Sequence, residues 1–136
     1  MSPTYIHLSR QDKIAQAISR LKAQQSGLWH RFADGTERER TAPPQEPDYD
    51  YDGLAGLAAE AEADDRAWLD WFERHRIEPV RVTYEQLSAA PSATLAKLLT
   101  ALGRDASIAD SIEVRTARLA DATSLEWARR FAAERD

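Results

Sequence analysis

An α/β fold, rich in helix and poor in strand, is what this sequence predicts. Two observations carry the prediction. Two short β-prone stretches, Tyr5 to Leu8 and Pro79 to Tyr84, are each followed by residues in helical period. Two further segments, near 50–75 and 125–134, place apolar residues on one helical stripe. The resulting order, β-α-loop-α-β-α-α, is an α/β layout with few parallel strands. At 136 residues the chain fits a single domain over 1–136.

The first unit reads strand, tight turn, helix. Ile14, Ala17, Ile18 and Leu21 keep helical spacing, with Asp12 placed to serve as N-cap or as first-turn acid. Gly27 is placed to end it, because glycine tolerates the left-handed backbone of a helix stop. Residues 33–48 read as a loop. They hold Asp34-Gly35, a charge cluster from Glu37 to Arg40, and Pro43, Pro44 and Pro47. That stretch is longer than the ordinary connection of about 4–6 residues.

The clearest helix runs from about 50 to 75. Leu54, Leu57, Ala58, Ala61, Trp68, Trp71, Phe72 and His75 form its apolar stripe, expected as core. The acidic residues Glu60, Glu62, Asp64 and Asp65 read as its solvated surface. Val80 and Val82 alternate with Arg81 and Thr83 in the second strand, and a helical turn begins at Glu85. Pro91 suits the first helical position, Leu95, Leu98, Leu99 and Leu102 line the buried face, and Gly103 stops the helix. Residues 104–116 are ambiguous, a loop with a short helical turn. In the closing helix Trp127 and Phe131 pair at i, i+4. Two strands make a poor sheet, so the helices look like covering for a sheet that is mostly absent.

Composition excludes several classes. Zero cysteines rule out a disulfide scaffold, a thiolate zinc site and a cysteine nucleophile, and fit a reducing cytoplasm. A net charge of −5 argues against a general nucleic-acid binder, which needs a basic face. The apolar runs are short and broken by charges, so no membrane-spanning helix is expected. His7, His30 and His75 lack metal-ligand spacing, and neither a Walker loop nor a G-x-S-x-G elbow occurs.

Two stretches carry chemistry. At Ser9-Arg10-Gln11-Asp12-Lys13 a strand ends and a helix starts, where free backbone N–H groups favour phosphate. Arg10 adds a bidentate fork and Ser19 a hydroxyl; on spacing alone Arg10 reads equally as a surface charge and Ser19 as a helix-face hydroxyl. The second stretch packs Gln24, Gln25, Ser26, Trp29 and His30 around a helix end. Amides beside flat aromatic faces suit a sugar, and equally suit a capped helix with a buried Trp29.

The run from His7 to Ser19 resembles the bacterial trehalose 2-sulfotransferase family, which reads H-L-x-R-x-D-K-x-x-Q-A-x-S at the corresponding place. The likeness continues through Gln25-Ser26-Gly27-Leu28-Trp29-His30, against Q-T-G-x-W-H, and through Val82-Thr83-Tyr84-Glu85-Gln86-Leu87. Near the C-terminus Arg118-Leu119-Ala120-Asp121, Glu126-Trp127 and Arg130-Phe131 are similar to the family's R-Q-A-D…E-W…R-F.

The resemblance implies a P-loop-like, sulfotransferase-type α/β fold. It implies transfer of a sulfuryl group from 3′-phosphoadenylyl sulfate, the co-substrate, to a hydroxyl of a trehalose-like carbohydrate, with no metal. Arg10 and Ser19 match the family's grip on the 3′-phosphate, and Arg118 is a further phosphate contact. Leu119 stands where the family has Gln. Gln25, Trp29 and His30 are the expected acceptor-binding residues, and Glu85 is expected to be structural.

The family's phosphosulfate loop and its acidic general base lie upstream of the histidine-leucine run, and Met1 stands shortly before His7. The chain is therefore expected to resemble the C-terminal three-fifths of a family member and to hold no catalytic residue. Alone it is expected to be weak or inactive. A homodimer or a complementing N-terminal half is the expected protein partner. The alternative is an inactive binding module on the same scaffold.

Overall fold

The structure is a computed structural model that describes residues 2–32, 37–40, 46–114, 116–117 and 121–135, with the backbone alone at 30–32, 37–40 and 116–117. In chain order the elements are β1 (Ile6–Ser9), α1 (Lys13–Ser26), β2 (Leu28–Phe32), β3 (Glu37–Arg40), α2 (Tyr51–Arg74), β4 (Val80–Thr83), α3 (Tyr84–Ala89), α4 (Pro91–Ala101), a 3₁₀ turn (Ala106–Ser111), β5 (Thr116–Ala117) and α5 (Ala122–Arg135). The result is a helix-rich α/β structure with one parallel strand pair. It forms two compact units: Met1–Gln11 with Asp64–Val114, and Asp12–Ala63 with Arg115–Asp136.

In the first unit β1 pairs with β4 in parallel, with Ile6 opposite Val80 and Leu8 opposite Val82. Ring contacts hold β1 to α2: Tyr5 meets Trp71 at 5.7 Å, and buried His7 meets buried Phe72 at 5.4 Å. His7 Nε2 also lies 3.2 Å from Asp65 Oδ1. On the face that Leu8 shares with Val82, the cover reaches Val82, which is buried, and leaves Leu8 60% and Ile6 44% exposed. Parallel pairs normally sit inside larger, doubly covered sheets, so this face is unusual.

Thr83 starts α3 with a reciprocal capping box. Its hydroxyl accepts from Gln86 N–H at 3.0 Å, and Gln86 Oε1 accepts from Thr83 N–H at 3.0 Å. Pro91 opens α4 as expected, and Gly103 at φ 71 follows its last turn. α2 ends differently. Arg76 takes the left-handed φ of 54, while Ile77 N–H reaches back to Phe72 O at 2.9 Å.

The second unit centres on α1, the first half of α2, and α5. Ala17, Ile18, Leu21, Leu54, Ala58, Trp127 and Phe131 form its core. The predicted caps of α1 hold: Asp12 Oδ1 accepts from Ala15 N–H at 2.9 Å, and Gly27 adopts φ 75. Lys22 Nζ clasps α1 to the start of α5, donating to Asp121 Oδ1 at 2.7 Å and Ser124 Oγ at 3.0 Å.

Several expectations are corrected. Two strands were expected, and among the described residues there are five. β2, β3 and β5 make a three-stranded sheet in the order β3-β2-β5, antiparallel at both pairings. The helix-end stretch Leu28 to His30 is the start of β2, and part of the expected loop, Glu37–Arg40, is β3. The ambiguous stretch holds the 3₁₀ turn and β5. Trp68, expected in the core stripe, is 54% exposed, and Leu102 is likewise exposed. Trp68 still meets Trp71 and Phe72 with its ring, and Leu102 caps the end of α4.

Candidate functional site

The turn after β1 is built by its neighbour in the sheet. Parallel register carries Ser9 beside Thr83, so the end of β1 lies beside the start of α3. Glu85, in the first turn of α3, reaches across, and its Oε1 accepts from Gln11 N–H at 2.9 Å. Arg10, between Ser9 and Gln11, lays its guanidinium over the Tyr84 ring, 4.1 Å from the centroid. Its Nε is out of contact with solvent. A planar donor fork is thereby held at the carboxyl end of a parallel strand, where α/β folds bind ligands.

The structure revises how an anion would be held there. Free backbone N–H groups were expected after β1. Instead Gln11 N–H is taken by the Glu85 carboxylate, and Ala15 N–H by the Asp12 carboxylate. Glu85 has the structural role expected of it.

Ser19 lies half-buried on α1, in the second unit, whereas Arg10 belongs to the first. Arg118 lies outside the described residues. Gln25 ends α1 and makes a two-way clasp: its Nε2 donates to Asp48 O at 2.5 Å, and its Oε1 accepts from Asp48 N–H at 2.8 Å. Trp29 stands on β2, 36% exposed, and is therefore not the buried indole of a capped helix end. His30 follows on β2, its backbone opposite Arg38, and its side chain lies outside the description.

An open polar recess of about 490 Å³ in the second unit adjoins Gln25 and includes Tyr49, Tyr51, Arg130 and Glu134. Tyr49 Oη donates to Glu134 Oε2 at 2.7 Å, and Arg130 Nε to Glu134 Oε1 at 3.0 Å. Arg130 also lies over the Tyr49 ring at 3.9 Å. Partial burial, and then the bonded Glu134 carboxylate, push the Tyr49 hydroxyl up to about 12, against the pull of Arg130. The hydrogen bond from Tyr49, followed by that from Arg130, holds Glu134 below the usual carboxylate range. Among the described residues no cluster of His, Cys, Asp or Glu could hold a metal ion, and no helix is long and apolar enough to cross a membrane.

Sequence reasoning did not single out Tyr84, or the Tyr49–Arg130–Glu134 group, for a role. A signal for the first existed: Thr83 followed by Gln86, directly after a strand, is a capping-box signature that fixes where Tyr84 and Glu85 lie. The second had none, since Tyr49 and Glu134 meet only through the tertiary fold.

A parallel strand pair with an arginine at one carboxyl end, under a covering layer of helix, defines a helix-rich α/β protein. The model of the Stf0 sulphotransferase family matches residues 1–134, and the chain belongs to that family. It is similar to the trehalose 2-sulfotransferase of Mycolicibacterium smegmatis, 29% identical over 129 residues, which are 95% of this chain and 45% of that protein. It is also similar to the trehalose 2-sulfotransferase of Mycobacterium tuberculosis, 28% identical over 132 residues, 97% of this chain and 46% of that protein. The chain spans about half the length of the curated relatives it matches.

Proposed function

We propose that this chain supplies the nucleotide-anchoring part of a carbohydrate sulfotransferase that uses 3′-phosphoadenylyl sulfate. The observation that carries the reading is the placement of Arg10, at the carboxyl end of β1, in a chain of this family. The donor set around it fits one phosphate. A guanidinium is a planar fork of N–H donors that suits the oxygens of a phosphate. Arg10 and Ser19 are the proposed contacts to the 3′-phosphate, with Arg118 as a third. Partial P-loop architecture belongs to the same proposal.

In sulfuryl transfer, the acceptor hydroxyl oxygen bonds to sulfur as the bond from sulfur to the phosphate oxygen breaks. The hydroxyl proton passes to a base. The residues named here bind and orient; neither the base nor donors to the sulfate oxygens are assigned among them. The isolated chain is accordingly proposed to bind nucleotide and to turn over weakly or not at all. Gln25, Trp29 and His30 are the proposed acceptor residues for a trehalose-like sugar. Gln25 keeps its second amide N–H for this after donating one to Asp48.

The test is calorimetric titration with 3′-phosphoadenosine 5′-phosphate, using AMP as control. Preference for the 3′-phosphorylated nucleotide, reduced by Arg10→Ala, is expected. Equal affinity for the two nucleotides in a folded chain would sink the assignment of Arg10 and Ser19.

Ile6 and Leu8 favour a second reading. Their exposure on a two-stranded parallel sheet suits a module that binds protein along β1. A complementing polypeptide half or a second copy is the proposed partner. Partner binding indifferent to nucleotide, together with no nucleotide preference, would select this reading.

A further inference from the structure

The structure assigns Tyr84 and Glu85 as positioning residues that aim Arg10 at its anion, an inference resting on the nucleotide-anchoring reading above. Arg10 belongs to a short turn, and its long side chain has several rotatable bonds. Left alone, such a turn would spread the guanidinium over many positions. Two contacts from consecutive residues narrow that spread. Glu85 Oε1 accepts from Gln11 N–H at 2.9 Å, which fixes the backbone one residue beyond Arg10. The Tyr84 ring takes the guanidinium at 4.1 Å, which fixes the far end of the side chain.

Both anchors come from one rigid piece. Thr83 ends β4 in register with Ser9, and its capping box with Gln86 locks the first turn of α3, on which Tyr84 and Glu85 sit. The position of Arg10 is therefore set by the sheet and α3 rather than by the turn itself. Stacking uses the flat face of a guanidinium, whereas phosphate is gripped by N–H groups in its plane. A guanidinium held on a ring face can therefore still meet a phosphate through its edge. Prepaid ordering of this kind is recovered as affinity.

Paired substitutions separate positioning from bulk. Tyr84→Phe keeps the aromatic face, and Tyr84→Leu keeps apolar volume without it. Glu85→Gln keeps the accepting oxygen, and Glu85→Ala removes it. The readout is the ratio of affinities for 3′-phosphoadenosine 5′-phosphate and AMP, which general destabilisation lowers for both nucleotides alike. Tyr84→Leu should reduce the ratio about three- to tenfold, the range expected from a lost cation–π contact, and Glu85→Ala should reduce it by a similar factor through the lost hydrogen bond to Gln11 N–H. Tyr84→Phe and Glu85→Gln should restore it. If the ratio falls with Arg10→Ala but is unchanged in Tyr84→Leu and Glu85→Ala, the positioning role is overturned and the anchoring reading stands. If the unsubstituted chain shows no preference, the anchoring reading fails and this inference falls with it. Either pair decides alone should one variant not fold.

Discussion

Tyr49 and Glu134 share one hydrogen bond, 2.7 Å long; it is the chief cause that holds Glu134 low, and it adds to burial in pushing Tyr49 up. Glu134 is held low and Tyr49 is pushed up to about 12. A carboxylate with a depressed folded pKa contributes stability present above its unfolded pKa and lost as pH falls through the folded one. A phenol with a raised pKa contributes stability present below its unfolded value and lost as pH rises through the folded one. This group should therefore support the fold across neutral pH and release it at both extremes. Thermal melts from acid to alkali should show both limbs, and Glu134→Gln should flatten the acid one. An acid limb unchanged by that substitution would refute the contribution of Glu134.

Asp121 adds to the acid limb. Burial opposes its ionisation, but the Lys22 ammonium and the Ser124 N–H outweigh burial and keep its carboxyl low. Lys22→Met should lower stability near neutral pH and shrink the loss on acidification. Melts at pH 7 and pH 3 would check both signs. No difference between the two proteins at pH 7 would remove the clasp from the stability argument.

Arg76 sits at φ 54 without being glycine. A side chain there crowds its own backbone, a penalty that glycine avoids. Arg76→Gly is expected to raise stability by about 0.5–1 kcal/mol, after allowing for glycine's greater freedom when unfolded. Urea denaturation gives the answer directly, and a destabilised variant would mean that the Arg76 side chain contributes more than its strain costs.

Leu54 is 1% exposed, in the core formed by α1, α2 and α5. Truncation to alanine removes buried methyl groups and leaves a void, at a cost of about 2–5 kcal/mol. The same denaturation series measures it. A loss under 1 kcal/mol would show that the site collapses around the smaller side chain.

Thr83→Ala should cost about 0.5–2 kcal/mol by removing the cap of α3. Serine should restore most of it, because the hydroxyl is the group that accepts from Gln86 N–H. Loss of stability that serine does not recover would point to packing of the Thr83 methyl instead.

The elements legible in the sequence are those whose signals are local. Asp12, Gly27, Pro91 and Gly103 each act within a turn of their own helix, and each does what its residue type predicts. β3 was not legible, because Glu37–Arg40 alternates charge with charge and carries no apolar face to read. β5 is two residues long, defined by its pairing with β2 rather than by its own sequence. The candidate site divides in the same way. Arg10 stands out by position after a strand, while its dependence on Tyr84 and Glu85 follows from parallel register between segments more than seventy residues apart. Which N–H groups stay open after β1 was not legible, because the side chains of Glu85 and Asp12 take those of Gln11 and Ala15, and the first of these meets its partner only through the fold.

The clasp between Gln25 and Asp48 gives the chain a neck. The backbone leaves the helical core after Gln25 and returns at Asp48, and two hydrogen bonds close that gap from a single side chain. Once the ends are pinned, lengthening the excursion between them costs little, about 0.6 kcal/mol for each doubling in length. Gln25 therefore sets the spacing between the end of α1 and the approach to α2. Both bonds hang on one amide, so a single substitution there would untie the two helix ends together.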